Sequence, residues 1–284
     1  MLDTSFFNEL AKFNLVVNKR VTSHFIGPRK SMAIGRGLIF KDHRIYAPGD
    51  DFRSIDWKVY ARTDDLYIKT YEEERNLVVH ILMDFSASMD YGKPITKFDY
   101  ASMLGVGFAY LAMKDNEKFQ FATFSEKLEI FQPRRGMSHL AAMVHHLNEV
   151  KAKGNSKLKE SMEIYRKVIG SRSMVVLVSD FLIPLEEVKE SLYLLGRTHD
   201  VKIIQVLDPV EKDMRLEGDF NLKDSESGFR LKTFISQRLR LKYRGMLEDH
   251  SAKIQETCNQ LGMQFHLITT DTPLFDAFYR MLNG

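Results

Sequence analysis

Short apolar runs alternate with longer amphipathic segments from residue 76 to the end of the chain. The strings "LVVHILMD", "MVVLVSD" and "VKIIQVLD" are each an apolar run that leads into an aspartate. Runs of this length are typical of parallel strands that are buried on both faces. Between them, strings such as "TKFDYASMLGVGFAYLAMK" place apolar residues at helical spacing. The pattern predicts an α/β domain with a mostly parallel sheet and helices on both faces.

Two segments depart from this alternation. Residues 209–233 hold two short alternating runs around a Ser/Gly turn, which predicts an inserted β-hairpin. Residues 20–75 are rich in charge and glycine and contain short extended pieces, whereas "TSFFNELAKFNLVVNK" at 4–19 suits a helix. We therefore predict that residues 1–75 form an irregular or β-rich extension with too few apolar residues to fold alone. We expect this extension to pack on a main domain of residues 76–284.

The composition of the chain is that of an ordinary globular protein. Of its 284 residues, 44% are hydrophobic and 28% are charged, and the net charge of +3 is too balanced to predict nucleic-acid binding. The single cysteine, Cys258, excludes an intrachain disulfide and fits a reducing compartment. No stretch approaches the roughly 18 apolar residues of a membrane span, and the N-terminus has no long apolar run. We expect a soluble cytoplasmic protein.

Two carboxylates and two hydroxyls follow the ends of the predicted buried strands. Asp84 ends one strand and is followed at alternate positions by Ser86 and Ser88, while Asp180 follows another strand. In an open parallel sheet, ligands bind outside the carboxyl ends of the strands, where the strand order reverses. Such an all-oxygen set is preferred by hard divalent cations. The sequence predicts a site for Mg²⁺, with Mn²⁺ as the alternative, although the same groups could simply cap the following helix.

Motifs of several other chemistries are absent from the chain. There is no G-x-x-x-x-G-K-S/T phosphate loop, no G-x-S-x-G elbow and no H-E-x-x-H zinc motif. Gly105 and Gly107 lie within a helical string rather than after a strand, which indicates close packing and not nucleotide binding. We therefore expect a protein that is not an enzyme.

The strings "MDFSASM" and "VVLVSDF" resemble the metal-ion-dependent adhesion site of von Willebrand factor A domains. In that family a D-x-S-x-S string, a threonine from a second loop and an aspartate from a third surround Mg²⁺, and a partner protein supplies a carboxylate. The resemblance implies a von Willebrand A-like, Rossmann-like fold. It also implies that Asp84, Ser86, Ser88 and Asp180 are metal-site residues.

Two positions depart from the von Willebrand pattern. The threonine has no clean match, and the nearest hydroxyl is that of Ser138, which is equally well placed as a helix N-cap. Asp180 is followed by Phe181, where that family usually has glycine.

The string "HRIYAPGDDFRSIDWKVYARTDDLYIKTYEEERN" resembles the signature of the bacterial family called domain of unknown function 58. The matching residues are Arg44, Tyr46, Pro48, Gly49, Asp50, Asp51, Arg53, Ile55, Asp56, Trp57, Ala61, Arg62, Glu72 and Arg75. Later strings such as "LKDSESG" also follow the family, so the resemblance covers about residues 20–284. It implies a von Willebrand-type adaptor that works with a MoxR-type AAA+ ATPase in a chaperone-like or stress function.

The charged residues of this string allow two interpretations. The predicted partner-binding residues are Arg44, Asp50, Asp51, Arg53, Asp56, Trp57 and Arg62. Because the acids and arginines are balanced, they could instead form ion pairs that fix an irregular segment. Trp57, the only tryptophan, is a candidate either for the core or for an anchor that contacts a partner.

Taken together, these patterns predict a non-enzymatic adaptor that binds a protein partner through a metal-ion-dependent adhesion-type site. The alternatives are a Mg²⁺-dependent hydrolase that uses Asp84 and Asp180, and a degenerate metal-free scaffold.

Overall fold

The computed structural model describes most of the chain as two compact units. The described residues are 39–72, 78–170, 173–196, 198–214, 216–226 and 228–283. One unit contains residues 39–72, and the other contains the described residues from 78 to 283. The helix predicted at 4–19 lies outside the described residues. The packing of the N-terminal extension on the main domain stays a prediction.

The smaller unit is an antiparallel strand pair with a short helix between its strands. Strand β1 (Ile39–Ile45) pairs with β2 (Tyr67–Glu72), and helix α1 (Trp57–Thr63) lies between them in the chain. Ile55 and Ile68 are buried and form an additional bridge between the connecting segment and β2. The predicted β character of the extension is confirmed in this part of it.

The larger unit contains a six-stranded sheet. Its strands are β3 (Val78–Asp84), β4 (Lys118–Phe124), β5 (Leu128–Ile130), β6 (Met174–Ser179), β7 (Asp200–Leu207) and β10 (Gln264–Thr269). The strand order is β10-β7-β6-β3-β4-β5, and every neighbouring pair is parallel except β4 with β5. A separate hairpin of β8 (Gly218–Lys223) and β9 (Arg230–Ile235) follows β7 in the chain. Both the mostly parallel sheet and the inserted hairpin were predicted, and both are confirmed.

Helices connect the strands. They are α2 (Lys97–Lys114), α3 (Met137–Glu149), α4 (Leu158–Tyr165), α5 (Leu185–Leu195), α6 (Pro209–Asp213), α7 (Gln237–Leu261) and α8 (Leu274–Asn283). Within the part of the chain that the structure describes, none of the helices combines the length and the hydrophobicity needed to cross a membrane.

Side chains at alternate positions of β3 pack into two different cores, one on each face of the sheet. Leu82 belongs to a buried cluster with residues of α4, α5 and α7. On the other face, Gly105 of α2 lies so close to Met83 that a Cβ would come within 2.7 Å of the Sδ atom. A Cβ at Gly107 would overlap the ring of Phe278 in α8. Helices therefore cover both faces of the sheet, and the close packing predicted for the two glycines is confirmed.

The strand order reverses beside β3. The chain adds β4 and β5 on one side of β3 and then returns to add β6, β7 and β10 on the other side. Met83 pairs with Val178 in the parallel register of β3 and β6. Asp84 and Asp180 therefore emerge at the same carboxyl edge of the sheet, at the point where open α/β sheets bind ligands.

Candidate functional site

Asp84 is the centre of a buried hydrogen-bonded cluster at this edge. The side chain is fully buried, and its Oδ1 accepts a hydrogen bond from the backbone N–H of Ser86 at 2.9 Å. Its Oδ2 accepts hydrogen bonds from the hydroxyls of Ser179 at 2.6 Å and Ser156 at 3.1 Å. The hydroxyl oxygens of Ser86 and Ser88 lie 3.0 Å apart. The D-x-S-x-S string thus brings Asp84, Ser86 and Ser88 into one hydrogen-bonded cluster.

The alternative that these groups only cap the next helix is not supported. Helix α2 is capped by Thr96, whose hydroxyl accepts a hydrogen bond from the N–H of Asp99 in a reciprocal capping box. Ser86 precedes a short 3-10 turn but makes no side-chain capping bond to it. The D-x-S-x-S hydroxyls are therefore not needed to begin α2.

Asp180 is joined to this edge by a buried lysine. Its Oδ2 accepts a hydrogen bond from Nζ of Lys97 at 2.8 Å, and its Oδ1 accepts one from the N–H of Leu182 at 3.2 Å. The same ammonium donates to Oε1 of Glu211 in α6 at 2.7 Å. Lys97 has no exposed side-chain surface, and Asp180 is only 2% exposed. Neither Lys97 nor Glu211 was predicted as part of the site.

Neighbouring carboxylates have opposite effects on two buried groups, because they stabilise the charged form of Lys97 and disfavour the charged form of Asp84. Burial alone would lower the pKa of Lys97, but the carboxylates of Asp180 and Glu211 outweigh it and raise the pKa above its ordinary value. Burial, followed by the neighbouring charge of Asp180, raises the pKa of Asp84 to about 6. The ring of Tyr91 lies 6.0 Å from Nζ of Lys97, within the range of a cation–π contact. The site therefore contains its own fixed positive charge.

Phe181 occupies a backbone conformation that usually requires glycine. Its φ is +52°, in the left-handed region, although its side chain is fully buried. The N–H of Phe181 donates to the hydroxyl of Ser179 at 3.0 Å, and its carbonyl lies 2.8 Å from Nε2 of His250 in α7. These contacts hold the strained loop in place after Asp180. The departure from glycine noted in the sequence is thus accommodated by buried hydrogen bonds.

Ser156 and Ser138 lie in different surroundings. Ser138 is exposed in the first turn of α3, and the N-cap of that helix is Gly136. Ser156 precedes α4 and donates to Asp84. The signal that could have found it is the string "GNSKL", in which a glycine and a serine come shortly before an amphipathic helix. Ser138 as a metal-site residue stays a prediction, and Ser156 is a serine from a second loop whose hydroxyl contacts Asp84.

The oxygen atoms at this edge match the coordination shell of Mg²⁺ only in part. In an octahedral shell, neighbouring ligand oxygens lie about 3.0 Å apart, and the hydroxyls of Ser86 and Ser88 match this spacing. The Asp180 carboxylate does not match, because the ammonium of Lys97 already lies 2.8 Å from its Oδ2, where a metal ion would meet a like charge. The described residues also hold no group of three or more His, Cys, Asp or Glu that could hold a metal ion. The arrangement does not fit a divalent cation, and binding of Mg²⁺ or Mn²⁺ stays a prediction.

A cavity of about 510 Å³ opens beside the D-x-S-x-S loop. Its apolar lining comes from α6, the hairpin and α7, and includes Val210, Met214, Leu222, Phe229, Leu231 and Tyr243. Ser88 and Glu211 lie in the same wall and connect the cavity to the buried cluster. This part of the site was not predicted, because the hairpin residues are distant in sequence from the strand ends.

The charged string of the smaller unit forms a local network. Arg44 makes a two-pronged pair with Asp50, at 2.8 and 2.9 Å. Asp51 accepts the N–H of Arg53 and caps a short 3-10 turn. Asp56 caps α1, and its hydrogen bond to His43, stronger than the opposing effect of burial, lowers its pKa to about 2. The acids therefore have structural roles, as one of the two interpretations expected.

Other residues of the charged string are exposed. The side chains of Arg53 and Arg62 face solvent, and Trp57 is 59% exposed. The interpretation of Trp57 as a core residue is therefore wrong. Binding of a partner by this string stays a prediction, with Trp57 as one of its exposed aromatic residues.

The sequence profile of the family described as "Protein of unknown function DUF58" matches residues 42–253. The chain belongs to the DUF58 family. This DUF58 chain is 27% identical to the uncharacterised protein Rv1480 of Mycobacterium tuberculosis over 267 residues, which are 92% of this chain and 84% of that protein. The membership confirms the family that the N-terminal string resembles.

Solved structures similar to the DUF58 chain include von Willebrand A domains. An aerotolerance-related membrane protein from Bacteroides fragilis is 14% identical, with a TM-score of 0.46, over 73% of this chain and 96% of that one. A von Willebrand factor type A protein from Catenulispora acidiphila is 12% identical, with a TM-score of 0.45, over 76% of this chain and 43% of that one. The similarity between this chain and these structures is a similarity of fold.

Proposed function

We propose that the chain is a non-enzymatic interaction domain that binds a protein partner at the carboxyl edge of its sheet. The observation that carries the proposal is the apolar cavity beside Ser88, which receives side chains of the partner. Cavities with an apolar lining and a few polar groups at one end are typical binding sites. The cavity also lies beside the edge at which the strand order reverses, and open α/β sheets bind ligands at this edge.

The hairpin supplies the accessible wall of this docking face. Leu222 and Leu231 are paired across the hairpin and line the cavity. Leu231 is 50% exposed and Phe229 is 66% exposed, so the wall offers large apolar side chains to a partner. Exposed apolar groups that are clustered in this way mark interaction surfaces more often than single exposed residues do.

A MoxR-type AAA+ ATPase or its client is the partner that we propose. The support is the resemblance of the charged string and of later segments to a family of adaptors that work beside such ATPases in chaperone-like or stress functions. Hydrolysis of a substrate at Asp84 and Asp180 is less well supported, because hydrogen bonds from the chain already engage both carboxylates. A turnover screen on phosphoesters with Mg²⁺ tests the hydrolase alternative directly.

The docking face is tested by two substitutions on opposite faces of β9. Leu231→Glu places a charge in the cavity, whereas Phe234→Glu is a matched control, since residues three apart in a strand point to opposite faces. Phe234 is 60% exposed, comparable to Leu231. The affinity of each variant for a purified MoxR-type ATPase from the same genome is measured by biolayer interferometry. We expect Leu231→Glu to weaken binding about tenfold or more, as loss of an interface anchor does, and Phe234→Glu to leave it unchanged.

Two outcomes contradict the proposal. If the wild-type chain does not bind the ATPase, then the ATPase is not the partner. If both glutamate variants bind as tightly as the wild-type chain, the cavity is not the docking point.

A further inference from the structure

We propose that the ammonium group of Lys97 takes the place of a divalent cation at the strand-end site, so that the site functions without metal. The proposal concerns the counter-charge of the buried carboxylates. It stands independently of the identity of any partner.

The first support is the position of the ammonium between two carboxylates. Nζ of Lys97 lies 2.8 Å from Asp180 and 2.7 Å from Glu211, which come from the end of β6 and from α6. A divalent ion in an adhesion-type site would have the same task of joining the strand-end acid to groups from other loops. Here one side chain of the protein performs it, and it is fully buried.

The second support is the cost of placing a lysine at this point of the chain. Lys97 is the first residue of α2 after the N-cap Thr96, where the helix dipole disfavours a cation. Removing its charge from water is also unfavourable. Two charge-assisted hydrogen bonds to carboxylates offset both effects. The position is therefore physically reasonable only if Lys97 is the partner of Asp180 and Glu211.

The third support is the competition between two cations for the same acids. A metal ion bound to Asp180 would share that carboxylate with an ammonium already in hydrogen-bond contact with it. Like charges at such a separation repel each other strongly in a buried site. The side chain of Lys97 has no exposed surface. The lysine and the metal are thus expected to exclude each other.

The consequence is that a partner is not recruited through a carboxylate that completes a metal shell. The hydroxyls of Ser86 and Ser88 instead remain as hydrogen-bonding groups beside the cavity. Where the chain functions as the interaction domain proposed above, binding is then insensitive to chelators.

The test is a titration of the full chain with Mn²⁺, in which free Mn²⁺ is measured by electron paramagnetic resonance. Metal-depleted wild type is compared with Lys97→Met, which frees Asp180 and Glu211, and with Lys114→Met, a matched change at the exposed end of the same helix. We expect no saturable binding to wild type or Lys114→Met up to about 1 mM, the weak end of protein sites for hard cations. We expect Lys97→Met to bind one Mn²⁺ with a dissociation constant at least about tenfold lower.

A second variant keeps the test valid if Lys97→Met does not fold. Lys97→Met combined with Glu211→Gln removes one charge of each sign, and it too should bind Mn²⁺ through Asp84, Asp180 and the hydroxyls. Saturable binding by the wild type that is lost in Asp84→Asn would overturn the proposal. It would also be overturned if the folded lysine variants bound no more Mn²⁺ than the wild type. Neither result depends on the ATPase experiment, so failure of this proposal is distinguishable from failure of the proposed function.

Discussion

The two units of the molecule contain ion pairs of equal length in very different surroundings. Lys97 lies 2.8 Å from Asp180, and Arg44 lies 2.8 Å from Asp50. The side chains of the first pair are 0% and 2% exposed, whereas those of the second are 41% and 17% exposed. Distance alone would rank the two pairs as equivalent. Burial separates them, because a charge left without its partner in the interior has no water to stabilise it.

The two pairs also differ in what they hold together. Arg44 and Asp50 are six residues apart, and Asp50 also accepts the N–H of Ala47, so this pair closes one local turn. Lys97 and Asp180 are 83 residues apart and join helix α2 to the end of β6. We therefore expect loss of the buried pair to affect the whole larger unit and loss of the exposed pair to remain local.

The largest effect is expected from Lys97→Met. Removing the lysine leaves Asp180 and Glu211 as buried carboxylates without a counter-charge, so the free energy of unfolding should fall by about 3–5 kcal/mol. Urea denaturation followed by circular dichroism, with a chelator present to exclude metal, measures the change. Arg44→Met serves as the exposed counterpart, and Lys114→Met serves as the control for loss of a lysine from α2. Equal losses for Lys97→Met and Arg44→Met would contradict the view that burial separates the pairs.

A smaller effect on the free energy of unfolding is expected from protonation of the buried histidine of β3. His80 is 3% exposed, and its Nδ1 lies 2.8 Å from the hydroxyl of Tyr165. Burial, with a lesser contribution from His199, lowers the pKa of His80 from 6.5 to about 4. Because the unfolded chain binds this proton at higher pH than the folded chain does, stability is lost as the pH falls from about 6.5 to about 4. The loss is on the order of 3 kcal/mol for a shift of this size.

Substitution separates the contribution of His80 from that of other groups. His80→Gln should remove the loss of stability that His80 contributes between pH 6.5 and 4. Two other contributions remain in this window: His266, whose pKa burial also lowers to about 4, acts in the same direction, and Asp84, whose pKa burial raises to about 6, acts in the opposite direction. His145→Gln is the matched control, because His145 is a surface residue of α3 with a side chain that is 76% exposed. An unchanged slope in His80→Gln would show that His80 does not titrate differently in the folded and unfolded states.

The sheet and part of the site could be predicted because they depend on local patterns. Apolar runs without alternation indicate strands covered on both faces, and their carboxyl ends must meet at one edge. Asp84 and Asp180 were therefore found from their positions after such runs. The hydroxyls of Ser86 and Ser88 follow from the alternation of an extended loop.

The remaining residues of the site could not be predicted because long-range packing brings them together. Lys97 looks in sequence like an ordinary solvated residue at the start of a helix, where an acid would be the more favourable choice. Glu211 looks like the third residue of a short capped helix, and it does fill that role with Asp208. Only the fold shows that both side chains meet at Asp180. Ser156 was not proposed, because Ser138 also lies at the start of a helix and spacing alone does not choose between them.

The exposure of Trp57 in the smaller unit has a physical reason of the same kind. Within residues 43–69, the buried apolar side chains are those of Ile55 and Ile68, at 5% and 0% exposure. Two such side chains are too few to enclose an indole, and Trp57 remains accessible. Size and hydrophobicity favoured burial of Trp57, but burial also requires a sufficient number of neighbours.

The smallest effect is expected from Arg44→Met, and it tests the exposed side of the comparison. Water screens the pair of Arg44 and Asp50, so its loss should cost no more than about 1 kcal/mol. The cost should shrink further in about 1 M salt, where the screening length is only about 3 Å.

Fluorescence of Trp57, the only tryptophan, follows the unfolding of this unit, while circular dichroism follows the whole chain. If the extension packs on the main domain as predicted, both signals should change at the same urea concentration. A loss well above 1 kcal/mol that persists in high salt would show that water does not screen the pair of Arg44 and Asp50. The two ion pairs would then differ in their location in the molecule and not in their burial.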